Sequence, residues 1–111
     1  MMMQGHGFES ALDRIRQRFV ATLPAQRAAL AGPLSARGAA LAQARQEAIE
    51  AAHRISGTAE TLGFADLGDA ARSCELTLCE TPPGAKKARP AEIDALRNVI
   101  VSADIVLHDF G

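Results

Sequence analysis

The chain of 111 residues contains no tryptophan, no tyrosine and only four phenylalanines. Proteins that bind single-stranded nucleic acid stack bases on aromatic side chains, so this composition offers little material for such a surface. An excess of charge is missing as well, because 12 Lys and Arg residues against 13 Asp and Glu residues leave a net charge of −1. A balanced charge gives no electrostatic reason to expect nucleic acid or an anionic membrane as a partner, and we expect neither.

The chain has only two cysteines, Cys74 and Cys79, and no long apolar run. On one helix these cysteines would differ by about 140° around the axis, which does not suit a disulfide. We interpret both as small buried apolar residues of a cytoplasmic protein. The apolar runs are far shorter than the roughly 18 residues of a membrane span. Residues 1–7 lack the pattern of a signal peptide and are predicted to form a disordered or tag-like tail.

Alanine is abundant, at 23 residues, and favours helices over strands. Glycine and proline interrupt the chain at positions 32–33, at Gly63 and throughout 81–90. Between these breaks, apolar residues recur at helical spacing over about residues 8–31, 39–62 and 65–80, and again from Pro90. The apolar positions are Phe8, Leu12, Ile15, Phe19, Leu23 and Leu30; Leu41, Ala48, Ile55 and Leu62; Leu67, Ala70, Ala71, Cys74 and Leu78; and Ile93, Leu96, Ile100, Ala103, Leu107 and Phe110.

Four amphipathic helices with short links predict an all-α, antiparallel, up-down-up-down four-helix bundle, a single domain over residues 8–111. Pro24 is expected to kink the first helix or to start a new segment, because proline removes one backbone hydrogen bond. Residues 35–43 fit either a loop or a helix.

His53 is predicted to lie on the solvent side of the second helix. At 100° per residue, the apolar stripe of that helix clusters within about 20°, and His53 lies about 160° from Ile55. Gly57 follows His53 by one turn, although glycine costs about 1 kcal/mol relative to alanine inside a helix. Such a glycine would leave the surface beside the imidazole open to another protein. The alternative is an incidental surface histidine beside a tolerated glycine.

The string AHRISGTAETLGFADLGDAARSCE, residues 52–75, resembles the signature of histidine phosphotransfer (HPt) domains. The resemblance implies an antiparallel four-helix bundle, in agreement with the periodicity. In one place the sequence departs from the family pattern, which usually has lysine three residues after the histidine; here that residue is Ser56. The matching positions are Ala52, His53, Ile55, Gly57, Ala59, Leu62, Gly63, Leu67, Ala71, Cys74 and Glu75.

The resemblance implies that His53 accepts a phosphoryl group from a receiver-domain aspartate and passes it to a second receiver. Arg54, Ser56 and Gly57 are then the neighbours of the phosphate. The implied partners are response-regulator receivers and a hybrid histidine kinase. The receiver supplies Mg²⁺, and the chain is expected to need no cofactor of its own. We expect it to act as a monomer. The candidate residues for docking the receiver are Gln46, Ile49, Glu50 and Glu60.

Two other functions remain open at this point. Without the family lysine, the chain could be a helical docking module that binds a receiver or kinase and carries no phosphate. A metal site is the other alternative, but the histidines and cysteines are scattered and none has the usual zinc spacing, so we expect none. No glycine-rich phosphate loop is present, and we expect no autonomous kinase activity.

Overall fold

A computed structural model of the chain describes residues 2–82 and 84–110, with the side chains from residue 10 onward. The described residues form four helices, α1 (Met2–Ser35), α2 (Ala39–Ala59), α3 (Ala65–Cys79) and α4 (Pro90–Phe110). Each helix packs against two others, and contacts between α1 and α4 close the ring. The predicted all-α four-helix bundle is therefore confirmed. None of the helices within these ranges is long and apolar enough to cross a membrane.

The first helix is longer than the sequence predicted. It does not divide at Pro24, because both Pro24 and Pro33 lie inside α1. Pro24 faces solvent, while Leu23 and Leu30 are fully buried and anchor the helix around it. Packing of these leucines outweighs the one backbone bond that the proline removes. The backbone of α1 begins at Met2, and Met1 lies outside the described residues. The disordered or tag-like tail over residues 1–7 stays a prediction.

The turn between α2 and α3 depends on Gly63. Helix α2 ends at Ala59, three residues before the predicted end, and Gly63 takes a φ of 91° that suits glycine. The N–H of Phe64 then donates to the carbonyl of Ala59 at 2.8 Å and closes the turn. A Cβ on Gly68 would lie 3.3 Å from the backbone nitrogen of Glu60, so α3 begins in close contact with the end of α2.

The core contains the predicted apolar stripe of α2, whose members Leu41, Ala48, Ile55 and Leu62 are all buried. Three predictions for other helices were wrong, and one of them is Phe110, which is 57% exposed at the last position of α4. Ile15 is 49% exposed, because it lies about 80° around the helix axis from the buried Leu23, at the edge of the buried stripe of α1. Cys79 is exposed, since it is turned about 140° from the buried Cys74. Val99 and Val106 are buried without having been predicted.

A buried carboxylate ties the connection between α3 and α4 to the bundle. Glu92 has no exposed surface, and it accepts hydrogen bonds from Arg45 Nε at 2.8 Å, the Thr81 hydroxyl at 2.6 Å and the Arg89 backbone N–H at 2.9 Å. Burial alone would raise the pKa of Glu92, but these hydrogen bonds and the charge of Arg45 together lower it. The carboxylate therefore stays ionised and holds three parts of the chain together.

Candidate functional site

His53 projects from the exposed side of α2, as its position opposite the apolar stripe predicted. Its side chain is 74% exposed, and its Nδ1 lies 2.9 Å from Oε2 of Glu75 on α3. Glu75 is more enclosed, at 24% exposure, so the carboxylate is the fixed partner and the imidazole is the outer one. The side-by-side packing of α2 and α3 brings these two residues together.

This hydrogen bond selects one form of the imidazole ring. A carboxylate can only accept, so the neutral ring must carry its proton on Nδ1 to make the bond. The other nitrogen, Nε2, then has no proton and keeps its lone pair. The arrangement presents an oriented nitrogen nucleophile on an exposed helix face.

A shallow depression surrounds the imidazole. Its lining residues are Ile49, Glu50, His53, Arg54 and Glu75. Helical geometry turns Arg54 about 100° from His53, yet the long side chain still lines the same depression. Arg54 is thus the cation that this surface offers near the imidazole.

Ser56 and Gly57 lie beside His53 in two different ways. The Ser56 hydroxyl donates to the backbone carbonyl of His53 at 3.0 Å, so it is engaged within its own helix. Gly57 is exposed, and a Cβ added there would meet no atom within 4 Å. The surface one turn after the imidazole is therefore open, and Ser56 brings no charge to it.

The four residues predicted to dock a receiver all lie on α2 or just after it, and the structure separates them into groups. Ile49 and Glu50 line the depression around His53. Gln46 lines a neighbouring depression that shares Ile49 with the first. Glu60 lies beyond the end of α2 and accepts a bond from Arg72 of α3 at 3.2 Å.

Glu75 is the site residue that sequence reasoning missed. In the sequence it is only the last matching position of the family string, 22 positions from His53. Periodicity within a helix cannot show which residue of another helix lies opposite, so the pairing needs the packing of α2 on α3. Cys74, which precedes Glu75 in the chain, is buried. Burial, together with the negative charges of Glu92 and Glu75, raises the pKa of its thiol to about 12.

Comparison with known proteins assigns the chain to a family. The family model of the Hpt domain matches residues 14–104, a range that contains both His53 and Glu75. No curated protein and no solved structure gives a significant match. Hpt domains have phosphotransfer-related roles in two-component signalling and interact with receiver or kinase partners. With four packed helices and a match over most of its length, the chain belongs to the Hpt domain family.

Proposed function

We propose that the chain is a phosphorelay intermediate whose phosphoryl acceptor is Nε2 of His53. The observation that carries the proposal is the hydrogen bond from Nδ1 of His53 to Glu75 on an exposed helix face. It leaves Nε2 unprotonated and directed away from the carboxylate. A nucleophile in this position is accessible to the active site of another protein.

The proposed step is an in-line displacement at phosphorus. The Nε2 lone pair forms the N–P bond while the bond from phosphorus to the receiver's aspartate oxygen breaks, and the aspartate leaves as a carboxylate. As Nε2 gives up its lone pair, positive charge develops on the ring. The carboxylate of Glu75, next to the Nδ1 proton, stabilises that charge. The reverse reaction delivers the phosphoryl group to a second receiver.

Cations of both proteins balance the negative charge of the phosphoryl group. On this chain, Arg54 is the cation that lines the depression, and we propose that it approaches the phosphoryl oxygens. Ser56 and Gly57 complete the surroundings, Gly57 by leaving room. The remaining neutralisation comes from Mg²⁺ held by the receiver, as in other phosphoryl transfers.

The receiver is proposed to dock on the face of α2 around His53. Ile49 supplies a partly buried apolar surface there, and Glu50 and Gln46 supply exposed polar groups. Glu60 extends the same side beyond the helix end. A mixed apolar and polar surface of this kind is typical of interfaces that form and separate repeatedly.

A second function is favoured by one specific observation. The Ser56 hydroxyl is bound to the carbonyl of His53, so the position usually taken by the family lysine holds neither a charge nor a free donor for phosphate. The chain could then bind a receiver or a histidine kinase without taking phosphate.

One experiment separates the two functions. Receiver domains are phosphorylated with a radiolabelled small phosphodonor, mixed with the chain, and followed by label transfer and by calorimetric binding. A relay intermediate takes label from at least one receiver. A docking module binds a receiver with measurable heat and takes no label, and this result would reject the proposed relay.

A further inference from the structure

A second surface of the molecule has the chemistry of a binding groove, on the side formed by α3 and α4. The groove is lined by two segments, residues 63–67 at the start of α3 and residues 102–110 at the end of α4. None of its lining residues takes part in the depression around His53. The groove is therefore separate from the proposed phosphate-transfer site.

The floor of this groove is apolar. Leu67, Phe64 and Val106 are buried at its base, with Phe64 packed edge-to-face on Phe110 at a centroid distance of 5.1 Å. At the rim, Ile105 is 56% exposed and Phe110 is 57% exposed. Exposed large apolar side chains beside a groove are typical of protein interaction sites.

An apolar ridge continues from the groove along α4. Val101 is 57% exposed and precedes Ile105 by one helical turn, so the two side chains lie on adjacent turns of the same side. A ridge spaced by four residues is the surface that a second helix packs against. The groove itself encloses about 230 Å³. That volume is below the roughly 300 Å³ of small ligand pockets, and it suits an inserted side chain better than a cofactor.

The rim of the groove is acidic. Asp66 and Asp109 are the charged residues among its described lining residues, and Asp69 is exposed one turn after Asp66. Arg16 approaches Gly63 at one end through its Nη2. Its Nε donates to the carbonyl of Leu62, and its Nη1 lies 3.5 Å from Asp13. Carboxylates around an apolar floor disfavour an anionic lipid surface and favour a basic protein segment.

We infer that this groove binds an amphipathic helix of a partner protein, with an apolar side chain inserted between α3 and α4 and with Lys or Arg residues flanking it. The apolar insert covers Ile105 and Phe110, and the basic flanks pair with Asp66 and Asp109. A partner bound here leaves His53 uncovered, because the two surfaces share no residue.

Two synthetic helical peptides test the inference. Each has about 16 residues, because shorter isolated helices are only marginally stable in water. Both carry the same leucine face; one has Lys on its flanks and the other has Glu. Each is titrated into the full ¹⁵N-labelled chain. The Lys peptide is expected to shift the amide signals of residues 63–67 and 102–110 and to leave those of 49–54 unchanged. It is also expected to bind roughly tenfold more tightly than the Glu peptide.

Matched variants show which residues contribute to binding of the Lys peptide. Ile105→Ala is expected to weaken the Lys peptide roughly fivefold, whereas Leu76→Ala, an equally exposed apolar residue outside the groove, leaves its affinity unchanged. The double variant Asp66→Asn with Asp109→Asn is expected to weaken binding and to reduce its dependence on salt. Circular dichroism checks that each variant is folded.

Several results would overturn the inference. These are equal affinity for the two peptides, no binding of either, shifts centred on His53, or equal effects of Ile105→Ala and Leu76→Ala. Concentration-dependent shifts at the groove without peptide would assign it to a second copy of the chain, and would also reject a heterologous partner.

Discussion

Nδ1 of His53 on α2 lies 2.9 Å from Oε2 of Glu75 on α3, although the two residues are 22 positions apart in the chain. The pair orients the imidazole and leaves Nε2 with its lone pair. Glu75 touches no atom of the transferred group in this scheme, so its proposed role is to position the ring and to stabilise the charge that develops on it.

Replacing Glu75 by Gln keeps the shape of the side chain and removes its charge. We expect phosphoryl transfer to His53 to slow roughly fivefold, because a hydrogen bond to a charged acceptor contributes about 1 kcal/mol more than a neutral one. Receiver binding, measured by calorimetry, should stay unchanged. The control is Glu80→Gln, an exposed acid at the end of α3. Equal transfer rates for the two variants would remove Glu75 from the site.

Ser56 provides a second prediction. Ser56→Lys places an ammonium group one turn from the imidazole and is expected to increase the yield or lifetime of phosphorylated His53 modestly at low salt. The gain should decrease as salt is added, because the site is open to solvent. Time courses of label retention in parent and variant provide the measurement. An unchanged lifetime at low salt would show that charge at this position is irrelevant, and that Arg54 is the group to vary next.

Two helical glycines give opposite expectations. Gly57→Ala should raise the free energy of unfolding by up to about 1 kcal/mol, since its Cβ meets no atom within 4 Å. At Gly68 the same gain should be cancelled or reversed, because the added Cβ lies 3.3 Å from the nitrogen of Glu60. Urea unfolding measures both changes. Equal stabilisation by the two alanines would contradict the close contact between α2 and α3.

Gly57 is also expected to keep the surface beside His53 open to a receiver, a role that unfolding measurements do not test. Gly57→Leu is expected to leave the fold intact, since its position is exposed, and to weaken receiver docking next to His53. Gly57→Ala is the matched variant with a smaller side chain. If Gly57→Leu binds and accepts phosphate at the parent rate, the open surface is not required.

The buried network around Glu92 predicts a dependence of stability on pH. Its folded-state pKa is lower than the ordinary value of 4.5, so its contribution is present above about pH 4.5 and is lost as the pH falls through the folded-state value. Glu92→Gln should lower the free energy of unfolding at pH 7 by roughly 3 kcal/mol, because Arg45 loses its buried partner.

Unfolding at a series of pH values tests this account of Glu92. The parent should lose stability below pH 4.5 more steeply than Glu92→Gln does. Asp94→Asn, which changes an exposed carboxylate on the same helix, is expected to follow the parent. Parallel pH profiles for the parent and Glu92→Gln would mean that the carboxylate is not held ionised by its network.

The sequence was sufficient for the parts of the molecule that depend on periodicity. The heptad-spaced stripe from Leu41 to Leu62 predicted both the buried side of α2 and the exposed position of His53. Features that depend on contacts between helices were not accessible in this way. The sequence indicates only an ordinary acid in a first helical turn at Glu92, yet this residue is buried and bound to Arg45 and Thr81. Glu75 contacts His53 only because α3 packs on α2.

Local rules also failed where tertiary packing opposed them. Pro24 predicts a kink or a new segment, but no new segment starts there, because the buried Leu23 and Leu30 keep α1 continuous. Ile15 follows the apolar spacing of α1 but lies about 80° around the helix axis from the buried Leu23, at the edge of the stripe. Spacing along a helix therefore shows which side is apolar, and it does not show how wide a strip of that side the neighbouring helices cover.

The central claim is that His53 itself takes the phosphoryl group, and label transfer from a phosphorylated receiver tests it most directly. The parent, His53→Gln and His108→Gln are compared, with His108 as an exposed histidine on α4. We expect acid-labile, alkali-stable label on the parent and on His108→Gln and none on His53→Gln, whose free energy of unfolding should differ by no more than about 0.5 kcal/mol. Label retained by a folded His53→Gln, or absent from the parent with every receiver that binds it, would contradict the account.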